Sequence, residues 1–282
     1  DAFAVLYRTN AQSRSIEEAL RRLNIPYRIY GGLSFYNRKE IKDLLAYYRL
    51  CVNNKDEEAL RRIINYPARG IGKTSQEKII VVAEREGVSQ WDVIESPGKY
   101  GLGLNTGVMG RISAFVTMIK SFTAQVQQKN AYELARLIAG SSGILKDLNN
   151  DNTPEGISRV ENIEELLNAI KEYSENGPAM IPELEEKEPA AEEVRRLDMF
   201  LQEIALITDA DVKDKDDLDK VSLMTIHAAK GLEFPYVYVV GMEENLFPSI
   251  QSLNSRSDLE EERRLFYVAM TRAEQRLFLS FA

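Results

Sequence analysis

Apolar runs of strand length sit at the two ends of this chain, and no convincing one lies between about 100 and 217. FAVLY (3–7) and PYRIYGG (26–32) open the chain, and VSLMTIH (221–227), PYVYVVG (235–241) and RLFLSF (276–281) close it. Each reads as a strand, and FAVLY, VSLMTIH and PYVYVVG as buried ones. Between the first two, Ile16, Ala19, Leu20 and Leu23 recur at helical spacing until Pro26 stops the pattern. Strand–helix–strand of this kind predicts an α/β unit with a parallel sheet. Ile41, Leu44, Leu45 and Tyr48 mark another helix, and Leu60, Ile63 and Ile64 a short one that ends at Pro67. Segments 108–128, 131–146 and 158–173 read as helices, after the glycine-rich connection GLGLNTG (101–107). A final helix is expected from Asp258, where Asp258 and Glu261 have capping-box spacing. The expected organisation is one sheet split by a helical insertion: residues 1–100, insertion 101–217, then 218–282.

Composition limits what such a chain can do. Its 282 residues suffice for two ordinary domains, and 44 % hydrophobic with 28 % charged residues can bury a core. No apolar run approaches the roughly 20 residues needed to span a bilayer, and no secretory signal pattern opens the chain. One cysteine and one histidine rule out a disulfide framework and a Cys/His metal cluster, so no metal ligands are expected. A reducing, cytoplasmic setting fits. The net charge of −8 speaks against nucleic acid until its distribution is read. Residues 1–85 carry +6 and residues 86–282 carry −14, with −8 in 181–220 alone. The acidic stretch 176–193 reads as a solvated loop and 209–220 as a charged linker. Fields are screened over roughly 10 Å, so a basic amino-terminal third stays compatible with DNA.

PARGIGKTS (67–75) ends like a phosphate-binding P-loop. The template G-x-x-x-x-G-K-[ST] needs glycine where Pro67 stands, and a strand where EEALRRIINY has helical spacing. Two readings remain. One is a turn that starts a helix, with Thr74 or Ser75 as N-cap and Lys73 solvated. The other is a hairpin whose backbone N–H groups meet a nucleic-acid phosphate, helped by Arg69 and Lys73. Arg38, Lys39 and Lys42 lie near Phe35 and Tyr36, a composition that suits either single-strand binding or a solvated helix face. The run EEERR (260–264) reads as an ion-paired helix face. Tyr7 and Arg8 fall at the carboxyl end of a predicted strand, where open α/β sheets bind ligands.

Longer stretches carry more information. FAVLYRTNAQSRSIEEAL (3–20), VSLMTIHAAKGLEFPYVYVVGMEENLFP (221–248) and EEERRLFYVAMTRAEQRLFLS (260–280) resemble, in order, carboxyl-terminal motifs of superfamily 1 DNA helicases of the UvrD/PcrA/Rep type. GGLSFYNRKEIKDLLAYYRL (31–50) and RIINYPARGIG (62–72) are similar to this family too, and the likeness is weakest over about 100–217. The resemblance implies a RecA-like second motor domain of P-loop NTPase type that lacks its own P-loop and is split by a mainly helical insertion. The P-loop and Mg²⁺-binding acids would belong to a first motor domain, expected before Asp1.

The same resemblance implies roles. Tyr7 would stack on the base of ATP, and Arg8 and Arg272 would reach its γ-phosphate from across a domain cleft. An arginine supplied in this way can accelerate phosphoryl transfer by about 10³–10⁵. Glu233 would accept a hydrogen bond from the ribose, with Gly231 keeping the backbone close to the ligand. His227 and Lys230 would link the cleft to the DNA strand; a lone histidine after a strand is also a common structural residue. Ala228 stands where family members often have serine, so no role is assigned to it. The implied partners are single-stranded and forked DNA, the amino-terminal motor domain, and repair proteins, with no membrane. The implied activity is ATP-dependent, 3′-to-5′ unwinding, with this chain inactive alone. The other readings are a free-standing DNA-binding or docking module and the motor of a helicase–nuclease.

Overall fold

The computed structural model describes residues 2–176, 194–211, 219–250 and 252–281. The acidic stretch 177–193 and most of the charged linker, 212–218, lie outside these residues. The chain begins with β1 (Phe3–Tyr7), α1 (Ser13–Arg22) and β2 (Tyr27–Ile29). Helices follow: α2 (Lys39–Val52), α3 (Glu57–Ile63), α4 (Lys73–Glu86), α5 (Gln90–Glu95), α6 (Thr106–Thr123), α7 (Ala131–Ser141), α8 (Ile144–Leu148), α9 (Pro154–Asn176) and α10 (Leu197–Asp211). The end of the chain adds β3 (Val221–Thr225), β4 (Phe234–Val239), α11 (Arg256–Met270) and β5 (Ala273–Leu279). None of the described helices is long and apolar enough to cross a membrane.

Two compact units result, one of Asp1–Arg38 with Asp214–Ala282 and one of Lys39–Lys213. The first unit is α/β. Its sheet has five strands in the order β2-β3-β1-β4-β5, all parallel, as the strand pattern of the sequence implies. β1 lies between β3 and β4, with Tyr7 opposite Thr225 and Leu6 opposite Val239. The sheet is therefore complete only when the two ends of the chain meet. Alternation along the strands turns Ala4, Leu6, Met224, Val237 and Val239 to one face, where Leu265 and Ala269 of α11 cover them. Burial of each large side chain there contributes about 1.5–3 kcal/mol.

α1 departs from its apolar pattern. Its buried residues are Ser13, Arg14 and Glu17, while Leu23 is 66 % exposed. A buried carboxylate survives only if its lone pairs are used. Glu17 accepts from the Phe35 backbone N–H (3.1 Å), the Ser34 hydroxyl (2.9 Å) and Arg21 (3.2 Å). Hydrogen bonding thus outweighs hydrophobicity in orienting this helix. α11 also begins earlier than its capping-box spacing suggests: Ser255 is the N-cap and its carbonyl accepts from Leu259 N–H at 3.0 Å, so Asp258 lies inside the first turn.

In the second unit the helices pack on α2, whose Ile41, Leu44, Tyr47, Tyr48, Leu50 and Cys51 are all fully buried. α2 touches α3, α6, α7, α9 and α10. The compact helical unit accordingly starts at Lys39, not near residue 101, because α2 to α5 pack with the later helices. The expected helix 131–146 is two, α7 and α8, divided at Gly143.

Candidate nucleotide and nucleic-acid site

At the carboxyl end of β1 the chain turns into α1 and leaves Arg8 beside α11. The Arg8 guanidinium is gripped along one edge: Nε donates to both carboxylate oxygens of Glu262 at 3.1 Å and Nη2 donates to Oε1 at 2.6 Å. Glu262 is buried and Arg8 is about one-fifth exposed at the side chain. The turn itself is held by Gln12, whose Oε1 accepts from the Arg8 and Thr9 N–H groups, both at 2.9 Å. The Gln12 amide lies against Gly241, where a Cβ would come within 2.1 Å of Nε2. Gly241 also has φ +69°, so the backbone favours glycine there, and a Cβ would displace the Gln12 amide.

Tyr7 does not present its ring here. It is 1 % exposed and its phenol is pushed up to about 12, chiefly by burial. The base-stacking role expected of it has no exposed ring to serve it, because the side chain belongs to the core of this unit. His227 follows β3, next to β1, and is exposed on the surface. Partial desolvation and then the Arg8 charge hold its imidazole below the ordinary histidine value, while Glu262 and Glu261 oppose the shift. Neutral imidazole beside a fixed guanidinium is the resulting charge state near pH 7.

The connection from β3 to β4 carries the next group. Lys230, Gly231 and Glu233 are exposed. Gly231 has φ +86°, the left-handed turn that favours glycine, and a would-be Cβ meets no protein atom within 4 Å. Arg272 ties this connection to the end of α11: Nη1 donates to the Leu232 carbonyl (2.8 Å), Nε to the Val268 carbonyl (3.0 Å) and Nη2 to the Thr271 hydroxyl (2.9 Å). Its own carbonyl accepts from Phe234 N–H at 2.9 Å. Arg272 and Glu233 therefore share the amino ends of β4 and β5, whereas Arg8 and His227 share the carboxyl ends of β1 and β3. The length of β1 separates the two groups by about 13 Å of strand, and the step from Glu262 to Arg272 along α11 is about 15 Å.

The residues expected to meet DNA fall into two classes. Arg38 is buried, donating to the Asn10 carbonyl (2.8 Å) and the Ser13 hydroxyl (2.6 Å), and it lies over the Phe35 ring. Arg69 donates to the carbonyls of Ile63, Pro67 and Ser142 and to the Tyr47 hydroxyl, between the rings of Tyr47 and Phe115. Both direct these donors inside the fold, to backbone carbonyls and hydroxyls. Lys39, Lys42 and Lys73 are the exposed ones. Lys39 pairs with Asp43 at 2.7 Å and lies over the Tyr66 ring. Lys73 opens α4 with Gly72 as N-cap, in place of the expected Thr74 or Ser75. The loop before it joins two helices, α3 and α4, so GIGKT is no P-loop; Asn65 Oδ1 shapes it by accepting from Arg69 N–H and Ile71 N–H. Among the described residues no group of three or more His, Cys, Asp or Glu could hold a metal ion.

Glu262 and Gln12 were not singled out from sequence. Arg263–Glu260 (2.8 Å) and Arg264–Glu261 (3.2 Å) do form the ion-paired face expected of EEERR. Glu262 turns inward, and the signal was available: it precedes the buried Leu265 and Ala269 by three and seven positions, one face of a helix.

The profile of the UvrD-like helicase C-terminal domain matches residues 1–282. The chain belongs to this family. It is similar to the ATP-dependent DNA helicase PcrA of Staphylococcus aureus (strain Mu50 / ATCC 700699), 41 % identical over 281 residues. That match covers 99 % of this chain and 36 % of the relative. The protein of the same name from Staphylococcus epidermidis (strain ATCC 12228 / FDA PCI 1200) is 42 % identical over the same shares. The chain thus spans about a third of the length of these relatives.

Proposed function

We propose that this UvrD-like domain is the second motor domain, with its helical insertion, of an ATP-dependent DNA helicase that moves 3′ to 5′ on single-stranded DNA and unwinds duplex. The single observation that carries the reading is Arg8: an arginine at the carboxyl end of a parallel strand, with one guanidinium edge locked and the Nη1 edge left without a hydrogen bond among the described residues. Donors fixed in advance toward developing phosphate charge cost no reorganisation during reaction.

The residues fit a nucleotide in part. The Nη1 edge of Arg8 suits a phosphate oxygen. Exposed Glu233 suits a ribose hydroxyl, and exposed Lys230 suits a phosphate. Arg272 fits as a second arginine once it exchanges a carbonyl partner for phosphate oxygen. Tyr7 fits as a buried support beneath Arg8 and not as a stacking platform. ATP with Mg²⁺, held mainly by an amino-terminal motor domain, would supply the phosphoryl group to be transferred; this chain supplies arginines and orientation. Completion of the site by a second domain makes hydrolysis depend on closure, which couples it to movement. His227, Lys230, Lys39, Lys42 and Lys73 are the proposed DNA contacts. Forked DNA, the amino-terminal motor domain and repair proteins are the proposed partners, in the cytoplasm.

The test is steady-state ATP hydrolysis with and without single-stranded DNA. The 282-residue chain alone is expected to show none above background, and the longer protein with an amino-terminal motor domain is expected to be stimulated by DNA. Turnover by the chain alone would overturn the proposal.

A further inference from the structure

We infer that Thr271 is a positioning residue for Arg272, acting through the guanidinium without touching the nucleotide; this rests on the reading of Arg272 given above. Three observations lead there. First, α11 ends in a way that leaves a carbonyl to side chains. The Arg272 N–H, which would continue the helix to Val268, donates to the Ala269 carbonyl at 3.2 Å. The Val268 carbonyl accepts from Arg272 Nε at 3.0 Å and from the Thr271 hydroxyl at 2.9 Å. Second, the hydroxyl passes this contact on. Its proton is committed to Val268, so its oxygen offers a lone pair, and Arg272 Nη2 donates to it at 2.9 Å. Carbonyl and hydroxyl together grip the Nε–Nη2 edge of the guanidinium, much as a carboxylate fork does, and this fixes its plane. Third, the grip is neutral. A carboxylate in this place would offset the charge that a phosphate needs; a carbonyl and a hydroxyl leave it in full, and the carbonyl end of a helix favours a cation beside it. The Nη1 group donates to the carbonyl of Leu232, which immediately precedes Glu233. That is the contact a phosphate oxygen can exchange while the opposite edge stays held.

The opposite arrangement would make Thr271 only the C-cap of α11, its contact with Arg272 incidental. The backbone favours positioning: Thr271 N–H already donates to the Tyr267 carbonyl at 3.1 Å, so the helix end is closed without help from the side chain. Thr271 is also exposed, so its hydroxyl contributes little to folding stability. Its loss should show in turnover and not in melting.

The experiment is a double-mutant cycle on DNA-stimulated ATP hydrolysis by the longer protein, using Thr271→Val, Arg272→Ala and both together, with Thr271→Ser alongside. Valine keeps the branched shape and removes the hydroxyl; serine keeps the hydroxyl. Each variant is assayed at a temperature where its melting curve shows it folded, and Thr271→Ala replaces Thr271→Val if that variant does not fold. Positioning predicts a fall in kcat of about tenfold or more for Thr271→Val, the rate equivalent of one lost hydrogen bond to a charged group. The KM for ATP should stay within about threefold of the parent, and Thr271→Ser should keep kcat within about twofold. In the Arg272→Ala background Thr271→Val should change kcat less than about twofold. A fall under about threefold for Thr271→Val, an equal fall in both backgrounds, or a serine variant as slow as the valine one would overturn the inference; the second is what a merely structural residue gives. If Arg272→Ala lowers kcat steeply and Thr271→Val does not, this inference fails alone. If Arg272→Ala itself leaves kcat unchanged, the functional reading of Arg272 falls, and this inference with it.

Discussion

Arginine and lysine positions that look alike in the sequence separate by what their donors touch. The Arg69 side chain makes four hydrogen bonds inside the helical unit, three of them to backbone carbonyls. Arg69→Ala should therefore lower unfolding free energy by about 2–4 kcal/mol, read from urea denaturation. Lys73→Ala should leave the urea midpoint unchanged, because the side chain is exposed, and should reduce the salt slope of DNA binding by about one. Equal effects of the two on stability would contradict this assignment. His227 gives a pH prediction. Its folded pKa is depressed, so its neutral form stabilises the fold above the ordinary histidine value and that stability is lost as pH falls through the folded pKa. Between about pH 7.5 and 5.5 the parent should lose stability relative to His227→Gln. Parallel urea midpoints across that range would contradict it.

At the scale of elements, strands were legible and helix faces less so. The five apolar runs became β1 to β5: β1, β3 and β4 lie inside the parallel sheet and need little more than β-prone, apolar sequence, and the same composition marks the more exposed edge strands β2 and β5. The face of α1 was not legible, because Glu17 is buried by hydrogen bonds to Ser34 and Phe35, distant in sequence, which no periodicity reveals. Glu262 sits inside a charge run, and its helical spacing to Leu265 and Ala269 is the mark that it faces inward. Gly241 links two elements: Gly241→Ala at φ +69° forces Gln12 aside and so loosens the Arg8 turn. It should lower the melting temperature and slow DNA-stimulated ATP hydrolysis, whereas Gly231→Ala, at φ +86° with open space, should cost only backbone strain of about 1–2 kcal/mol. Equal effects on catalysis would separate Gly241 from the Arg8 turn.

For the molecule as a whole, the split sheet was legible from where the strands lie, and its boundaries were not. Helices α2 to α5 carry no mark in their sequence of which unit they join; only the packing around α2 decides it. The site is legible at Arg8 and Arg272 as residue types, but not in their distribution to opposite ends of the strands, joined by α11. That distribution groups Arg272 with Glu233 and Arg8 with His227, so a ligand that meets both arginines has to reach across the roughly 13 Å between the two ends of the strands. The most direct measurement is kcat and KM for ATP in the longer protein carrying Arg8→Ala or Arg272→Ala, with single-stranded DNA saturating. Each should lower kcat by about 10³ or more, with a smaller change in KM. If kcat stays within about threefold of the parent for both, the arginines are surface and capping residues, and this domain does not complete an ATP site.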